Sequence, residues 1–192
     1  MRIILASQSP RRRELLGLLR LPFTVCSSDI DETMDPALPV AEEVARVSRE
    51  KAFAIPRRED DVVIAADTVV VVDGRVLGKP HSPEEARQML ALLSGRDHQV
   101  MTGMTVLVGD QVISGTEISD VRFKELTDRE IRSYVATGEP MDKAGSYGIQ
   151  GYGALFVEHI RGDYYNIMGL PVCRLGKILA QLGIMDTREY DQ

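Results

Sequence analysis

The chain has 192 residues, 44% hydrophobic and 27% charged, which suits a globular protein with one sizeable core or two lobes sharing a cleft. Its net charge of −6 excludes a whole-surface attraction to nucleic acid or to an anionic membrane. Cys26 and Cys173 stand far apart among apolar residues and fit buried thiols in a reducing compartment better than a disulfide framework or a metal site.

The chain opens on a short apolar run, Ile3 to Ala6, that reads as a buried strand. Ser7-Gln8-Ser9 is a tight polar turn. Ser9 serves as N-cap and Pro10 as the first helical residue, where its missing N–H costs nothing. Leu15, Leu16 and Leu19 then recur at helical spacing. Phe23 to Cys26 reads as a strand leading into an acidic loop, Asp29 to Glu32. A helix follows from Val40 to Ala54, with Val44 and Val47 on one side. After a charged turn, Arg57 to Asp61, a strand spans Val62 to Ala66 and resumes over Val69 to Val72. Asp73-Gly74 is a hairpin signal returning through Arg75 to Leu77.

Ser82-Pro83-Glu84-Glu85 has the pattern of a capping box, opening a helix that stops at Ser94-Gly95. Strands follow over Gln99 to Val108, Gln111 to Ser114 and Thr116 to Phe123. Thr127 to Glu130 is a second capping box, and its helix ends at Thr137-Gly138. Glu139 to Tyr152 is irregular and glycine-dense, which implies tight turns or close approach to a ligand. Ala154 to Ile160 and Tyr164 to Met168 read as a hairpin about Gly162-Asp163. A last helix starts after Gly169-Leu170-Pro171 and ends near Leu182-Gly183, leaving Met185 to Gln192 as a frayed tail. The expected fold is α/β, with a mixed twisted sheet and flanking helices.

Strand, turn, helix N-terminus and three arginines in the first turns form the kind of place where proteins bind phosphate. The bland alternative is a capped surface helix with solvated arginines. Asp67 interrupts an apolar run, and a buried carboxylate must be paired, hydrogen-bonded or metal-bound. It reads either as a cap of backbone N–H groups or as a general base or Mg²⁺ ligand on a central strand. Glu32 offers a second carboxylate in a loop that is otherwise expected to be solvated. Lys51 sits on a helix, where a lysine is normally at the surface, and Lys79 stands between Gly78 and Pro80 in a rigid turn. Asp142-Lys143 has the character of a surface ion pair. Gln150 suits either an imide or amide edge of a base or the loop's own backbone. The glycine segment has neither the P-loop order nor the dinucleotide fingerprint. The histidines, His81, His98 and His159, are scattered.

Taken in order, Ser7-x-Ser9-Pro10-Arg11-Arg12, Ala66-Asp67-Thr68, Gly78-Lys79-Pro80, Leu93-Ser94-Gly95, Asp142-Lys143-Ala144-Gly145-x-Tyr147-x-Ile149-Gln150-Gly151 and Gly169-Leu170-Pro171 resemble the Maf family over Met1 to Leu182. That family comprises nucleoside triphosphate pyrophosphatases, historically called septum-formation inhibitors. The resemblance implies a single domain over 1–184, with 185–192 as tail. It also implies an elongated two-lobed fold like that of inosine triphosphate pyrophosphatases, with a central cleft. The implied reaction is hydrolysis of a nucleoside triphosphate to the monophosphate and pyrophosphate, with Mg²⁺ or Mn²⁺ as cofactor.

With Ile149-Gln150-Gly151 the chain looks like the family's dTTP/UTP branch, whereas a branch acting on 7-methyl-GTP carries glutamate near that place. Asp67 matches the family's proton acceptor. Arg11, Thr68 and Gln150 match positions linked to substrate choice, and Ser7, Arg12, Glu32, Lys51 and Lys79 match further active-site positions. On that resemblance Arg11 and Arg12 hold the triphosphate, Lys51 and Lys79 neutralise charge, and Glu32 and Asp67 hold or neighbour the metal. Modified pyrimidine triphosphates share the same base edge and belong to the expected substrate class. The competing reading is a non-catalytic regulator of division or a DNA-associated protein, against which the charge of −6 and the lack of a basic stripe both speak. No membrane partner and a cytoplasmic location are expected, because no apolar run approaches a span and the one after Arg2 is too short for a signal peptide. A homodimer is the commonest assembly a priori.

Overall fold

Unbroken apolar runs, rather than alternating ones, build the centre of the sheet, because strands covered on both faces leave no side for polar residues. The computed structural model describes residues 1–27 and 29–186. In chain order its elements are β1 (Ile3–Ala6), α1 (Pro10–Gly17), β2 (Phe23–Cys26), α2 (Val40–Phe53), β3 (Val62–Val72), β4 (Arg75–Leu77), α3 (Pro83–Leu93), β5 (Asp97–Val108), β6 (Gln111–Phe123) and α4 (Asp128–Ala136). Three short 3₁₀ helices follow, Glu139–Asp142, Ala144–Ser146 and Tyr152–Phe156; then β7 (Val157–Arg161), α5 (Tyr164–Met168) and α6 (Val172–Gln181) complete the described chain.

The seven strands form one mixed sheet in the order β2-β1-β3-β5-β6-β7, with β4 paired to β3. β1 runs parallel to both neighbours, Ile3 opposite Phe23 on one side and Val62 on the other. β3 and β4 are antiparallel across Asp73-Gly74, whose φ values of 49° and 72° are those of the two-residue turn that matches strand twist. β6 and β7 are antiparallel, with a register shift between Arg122 and Phe123.

By internal contacts the chain divides into two units. The first comprises residues 1–67, 102–117 and the chain from Gly169 onward; the second comprises 68–101 and 118–168. The chain passes from one to the other within β3, β5 and β6 and again between Met168 and Gly169. In the first unit Ile4, Ala6, Val63 and Ala65 pack with Ala52, Ile55 and Leu107. In the second, Phe123 is ringed by His98, Tyr147 and Phe156 in edge-to-face contacts with centroids 4.7–5.9 Å apart, and Tyr134 extends the cluster onto Phe156. His98 is thus a core residue; it pairs with the Tyr147 hydroxyl at 2.9 Å, and burial depresses its pKa to about 4.

The structure corrects several expectations. Tyr164–Met168 is a short helix and forms no hairpin. Asp163 accepts the Tyr165 N–H at 2.8 Å, and the buried Asn166 amide donates to Val100 O and Ser119 Oγ, so a side-chain cap and a polar anchor replace the strand pairing that Gly162-Asp163 implied. The strand expected from Ala154 begins at Val157, after a 3₁₀ turn. The two strands expected over 111–123 are one. Ser82 caps Glu85 N, but the Glu85 carboxylate reaches past it to His81 N at 2.7 Å, so only half of that capping box forms; the Thr127–Glu130 box is complete. Cys173 is exposed and Cys26 half-buried, so neither is the fully buried thiol expected. Of the expected tail, residues 187–192 lie outside the described residues. Among the described residues no helix is long and apolar enough to cross a membrane.

Candidate active site

The turn between β1 and α1 is built on two serines. Ser9 accepts the Arg12 N–H at 3.4 Å and starts the helix with Pro10 behind it. Ser7 is buried, and its Oγ accepts from Ser9 N at 3.2 Å and from Arg12 Nη1 at 3.3 Å. Arg12 Nε donates to Gly169 O at 2.8 Å, so the guanidinium is held from two sides. Its pKa is lowered, chiefly by burial and also by the neighbouring positive charge of Arg11; the negative charges of Asp67 and Glu32 oppose that shift. Arg11, Arg12, Asp67 and Glu32 therefore share one electrostatic neighbourhood.

Lys51 stands in the last turn of α2, a favourable place for a cation. It is 7% exposed, contrary to the surface lysine that its helical context implied. Its Nζ lies 2.8 Å from Asp67 Oδ1 and 2.9 Å from Glu32 Oε1. Asp67 lies within β3, which runs unbroken through it, and is 8% exposed; the cost of its burial is met by the ammonium. The Glu32 side chain is 55% exposed, as its loop context implied.

That loop is held by residues the sequence reading passed over. The buried Glu43 of α2 accepts Asp35 N at 2.7 Å and pairs with Arg46, whose Nη2 donates to Thr33 O at 2.8 Å. Arg46 also pairs with Glu50 one turn on. The signal was present as acidic residues three before and four after Arg46 on one helix face. These bonds clamp the backbone on the C-terminal side of Glu32 to the helix that carries Lys51.

Thr68, Lys79 and Gln150 belong to the second unit. Thr68 is half-buried, and Lys79 and Gln150 are exposed. Gly78 O accepts Gly145 N at 3.0 Å, so the Lys79 turn is tied to the glycine-rich segment. Gly145 has φ of 66° and packs against Val70, where a Cβ would lie 2.7 Å from Cγ2; only glycine fits there. Lys143 pairs with Asp142 at 2.7 Å and also donates to Glu139 O at 2.7 Å, so it holds the segment's backbone as well as a surface charge. The structure therefore brings Ser7, Arg11, Arg12, Glu32, Lys51 and Asp67 together in one unit and places the other three residues in the second. Among the described residues no three His, Cys, Asp or Glu side chains gather as a metal-holding cluster. The available oxygen donors are Asp67 and Glu32, a hard pair that suits Mg²⁺ or Mn²⁺ completed by water and phosphate oxygens.

The Maf-like protein family model matches residues 2–182. The chain belongs to the Maf family. Its relatives include a protein of Halalkalibacterium halodurans named dTTP/UTP pyrophosphatase, 52% identical over 178 residues, which make up 92% of this chain and 94% of that one. A Bacillus cereus protein of the same name is 47% identical over 184 residues, 95% of this chain and 96% of its own. Among solved structures, a HAM1 protein from Coxiella burnetii superposes with a TM-score of 0.50 at 16% identity, covering 94% of this chain and 99% of that one. That likeness concerns the fold alone and agrees with the α/β architecture expected for a Maf member.

Proposed function

We propose that this Maf protein hydrolyses nucleoside triphosphates, with dTTP and UTP as its substrates, to the monophosphate and pyrophosphate. The observation that carries this reading is the buried Lys51 ammonium held between Asp67 and Glu32, beside the Arg11 and Arg12 pair at the start of α1. The names of relatives about half identical over most of the chain support the choice of substrate. Modified pyrimidine triphosphates present the same base edge and fall within the proposed range.

In this reading the guanidinium groups of Arg11 and Arg12, at the start of α1, take the phosphate chain. Ser7 and Gly169 O hold the Arg12 fork in place, so little ordering is left to be done when the anion arrives. Lys51 fixes the orientation of the Asp67 carboxylate, which takes the proton of the water attacking the α-phosphorus as pyrophosphate leaves. Lys79 and Thr68 contribute charge and a hydroxyl, and Gln150 offers an amide to the O4/N3 edge of uracil or thymine. Asp67 and Glu32 are the groups that would hold Mg²⁺ or Mn²⁺, which supplies charge neutralisation to a polyanionic substrate. Most of the acceleration comes from positioning and from stabilising charge. The reading requires neither a nucleic-acid surface nor a membrane, and it suits a cytoplasmic enzyme acting as monomer or homodimer.

The test is product analysis. Incubation with each triphosphate and Mg²⁺ is expected to yield pyrophosphate, and release of orthophosphate overturns the mechanism. Asp67→Asn is expected to lower kcat by about a hundredfold or more with the fold retained, the usual loss for a missing general base. A variant with parental turnover removes Asp67 from that role.

A further inference from the structure

Around Gln150 the chain has glycine at 148, 151 and 153, and glycine adds conformational freedom and no side-chain contacts. One carboxylate, that of Glu139, gathers the backbone around Gln150. Glu139 Oε1 accepts from the Tyr134 hydroxyl at 2.8 Å and from Gly153 N at 3.2 Å, and Oε2 accepts from Tyr152 N at 3.0 Å. The Tyr134 hydroxyl in turn accepts from Gly148 N at 3.0 Å. Amides two residues before Gln150 and two and three after it therefore converge on one side chain, directly or through one hydroxyl.

The two glycines flanking Gln150 at 148 and 151 make this approach feasible. A Cβ on Gly151 would stand 2.2 Å from Glu139 Oε2, and one on Gly148 would stand 3.2 Å from Oε1. A carboxylate is the side chain equipped for the task, because it is acceptor-only with two oxygens and accepts strong bonds from several donors. If Glu139 merely capped the short helix Tyr152–Phe156, the bonds to Tyr152 and Gly153 would suffice. The connection to Gly148 through Tyr134 and the contact with Gly151 reach both sides of Gln150. Glu139 is itself anchored, since Lys143 Nζ donates to its carbonyl at 2.7 Å and Tyr134 is packed on Phe156.

We propose that Glu139 is a positioning residue for Gln150: by gathering the amides on both sides it sets how the Gln150 side chain is presented, and so the choice of base. This rests on the reading that Gln150 meets the base.

The test uses the full chain with Glu139→Ala, Glu139→Gln, Tyr134→Phe and Gln150→Ala, steady-state kinetics on UTP, dTTP, CTP and GTP with Mg²⁺, and hydrogen exchange at Tyr152 and Gly153. Glu139→Ala is expected to raise KM for UTP and dTTP about tenfold, a loss typical of a misplaced contact, with a smaller change in kcat. Exchange at the two amides is expected to quicken. Glu139→Gln keeps one acceptor oxygen and is expected to fall between, and Tyr134→Phe to shift the same way by less. Adding Gln150→Ala to Glu139→Ala is expected to cost little more, because both changes act through one side chain. If Gln150→Ala loses the preference for UTP and dTTP while folded Glu139→Ala keeps it, the inference is overturned and the reading of Gln150 stands. If Gln150→Ala keeps the preference, the reading fails and the inference with it. Should Glu139→Ala not fold, Glu139→Gln and Tyr134→Phe decide by the same measures.

Discussion

Removing the Lys51 ammonium should be far more damaging than neutralising the carboxylate it faces. Lys51 and Asp67 are 7% and 8% exposed, whereas the Glu32 side chain is 55% exposed. In Lys51→Met the volume is kept and the charge removed, so Asp67 is left buried without its ion pair. Breaking a buried pair from one side costs about 3–5 kcal/mol. The field of Arg12 still reaches Asp67, which favours the lower end, and Glu32 turns to water at a cost of about 0–1 kcal/mol. The expected loss is therefore about 3 kcal/mol, or about 6–12 °C in Tm for a chain of this length. Asp67→Asn leaves Lys51 with Glu32 at 2.9 Å and is expected to cost only about 1 kcal/mol, near the value of one hydrogen bond. The double variant buries neither charge, so it should be more stable than Lys51→Met alone, a coupling of about 2 kcal/mol. Urea unfolding followed by far-ultraviolet circular dichroism reads all three, the chain having no tryptophan to report by fluorescence. A Lys51→Met loss under about 1 kcal/mol, or costs that simply add, would refute the claim that the ammonium compensates the burial of Asp67.

Gly145→Ala should cost about 3 kcal/mol, combining left-handed strain at φ of 66° with a Cβ pressed into Val70, and a Tm within 2–3 °C of the parent contradicts this. Gln150→Glu should shift the preference between UTP or dTTP and other triphosphates by about tenfold or more in kcat/KM, and an unchanged profile shows that Gln150 does not meet the base. Glu43 has its pKa lowered to about 2 by Arg46 and by Asp35 N, so its contribution is present at neutral pH and lost as pH falls from about 4.5 through about 2. Asp61, bonded by Arg2 and Arg58 N, is lowered as well and adds to the same acid limb. Arg46→Met should flatten the fall of Tm over that window, and an acid limb identical to the parent's argues against the clamp.

Much of the fold was legible because it follows from local rules. Val62 to Ala66 and Val69 to Val72 read as strand, Asp73-Gly74 as a tight turn and Ser9-Pro10 as a helix start, since each rests on backbone preferences that neighbouring residues already satisfy. Where local chemistry allowed two outcomes, the reading failed. Gly162-Asp163 suits a hairpin and also a capped helix, and the buried amide of Asn166, bonded to residues 47 and 66 positions earlier, selected the helix. Glu85 had two backbone N–H groups within reach and took the one on His81. The site shows the same division. Asp67 was conspicuous because a charge in an apolar strand is costly wherever the strand lies, whereas Glu43 and Arg46 showed only the spacing of one helix face, and the bonds that give them and Glu139 their roles, to the loop after Glu32 and to Tyr152 and Gly153, join segments that only folding brings near.

The amino-acid sequence determined the family, the mixed α/β class and the inventory of groups able to bind phosphate: two arginines behind a capped proline, an aspartate in an apolar strand and a glutamine among glycines. Tertiary structure alone decided which of those groups meet. It buried Lys51 and gave it two carboxylates, 16 positions ahead at Asp67 and 19 behind at Glu32, and it set the Glu139 carboxylate beneath the glycines on both sides of Gln150. The physical reason is that propensity, capping and periodicity act over a few residues, whereas burial and the pairing of charges are properties of the packed interior and have no value until the chain has closed around them.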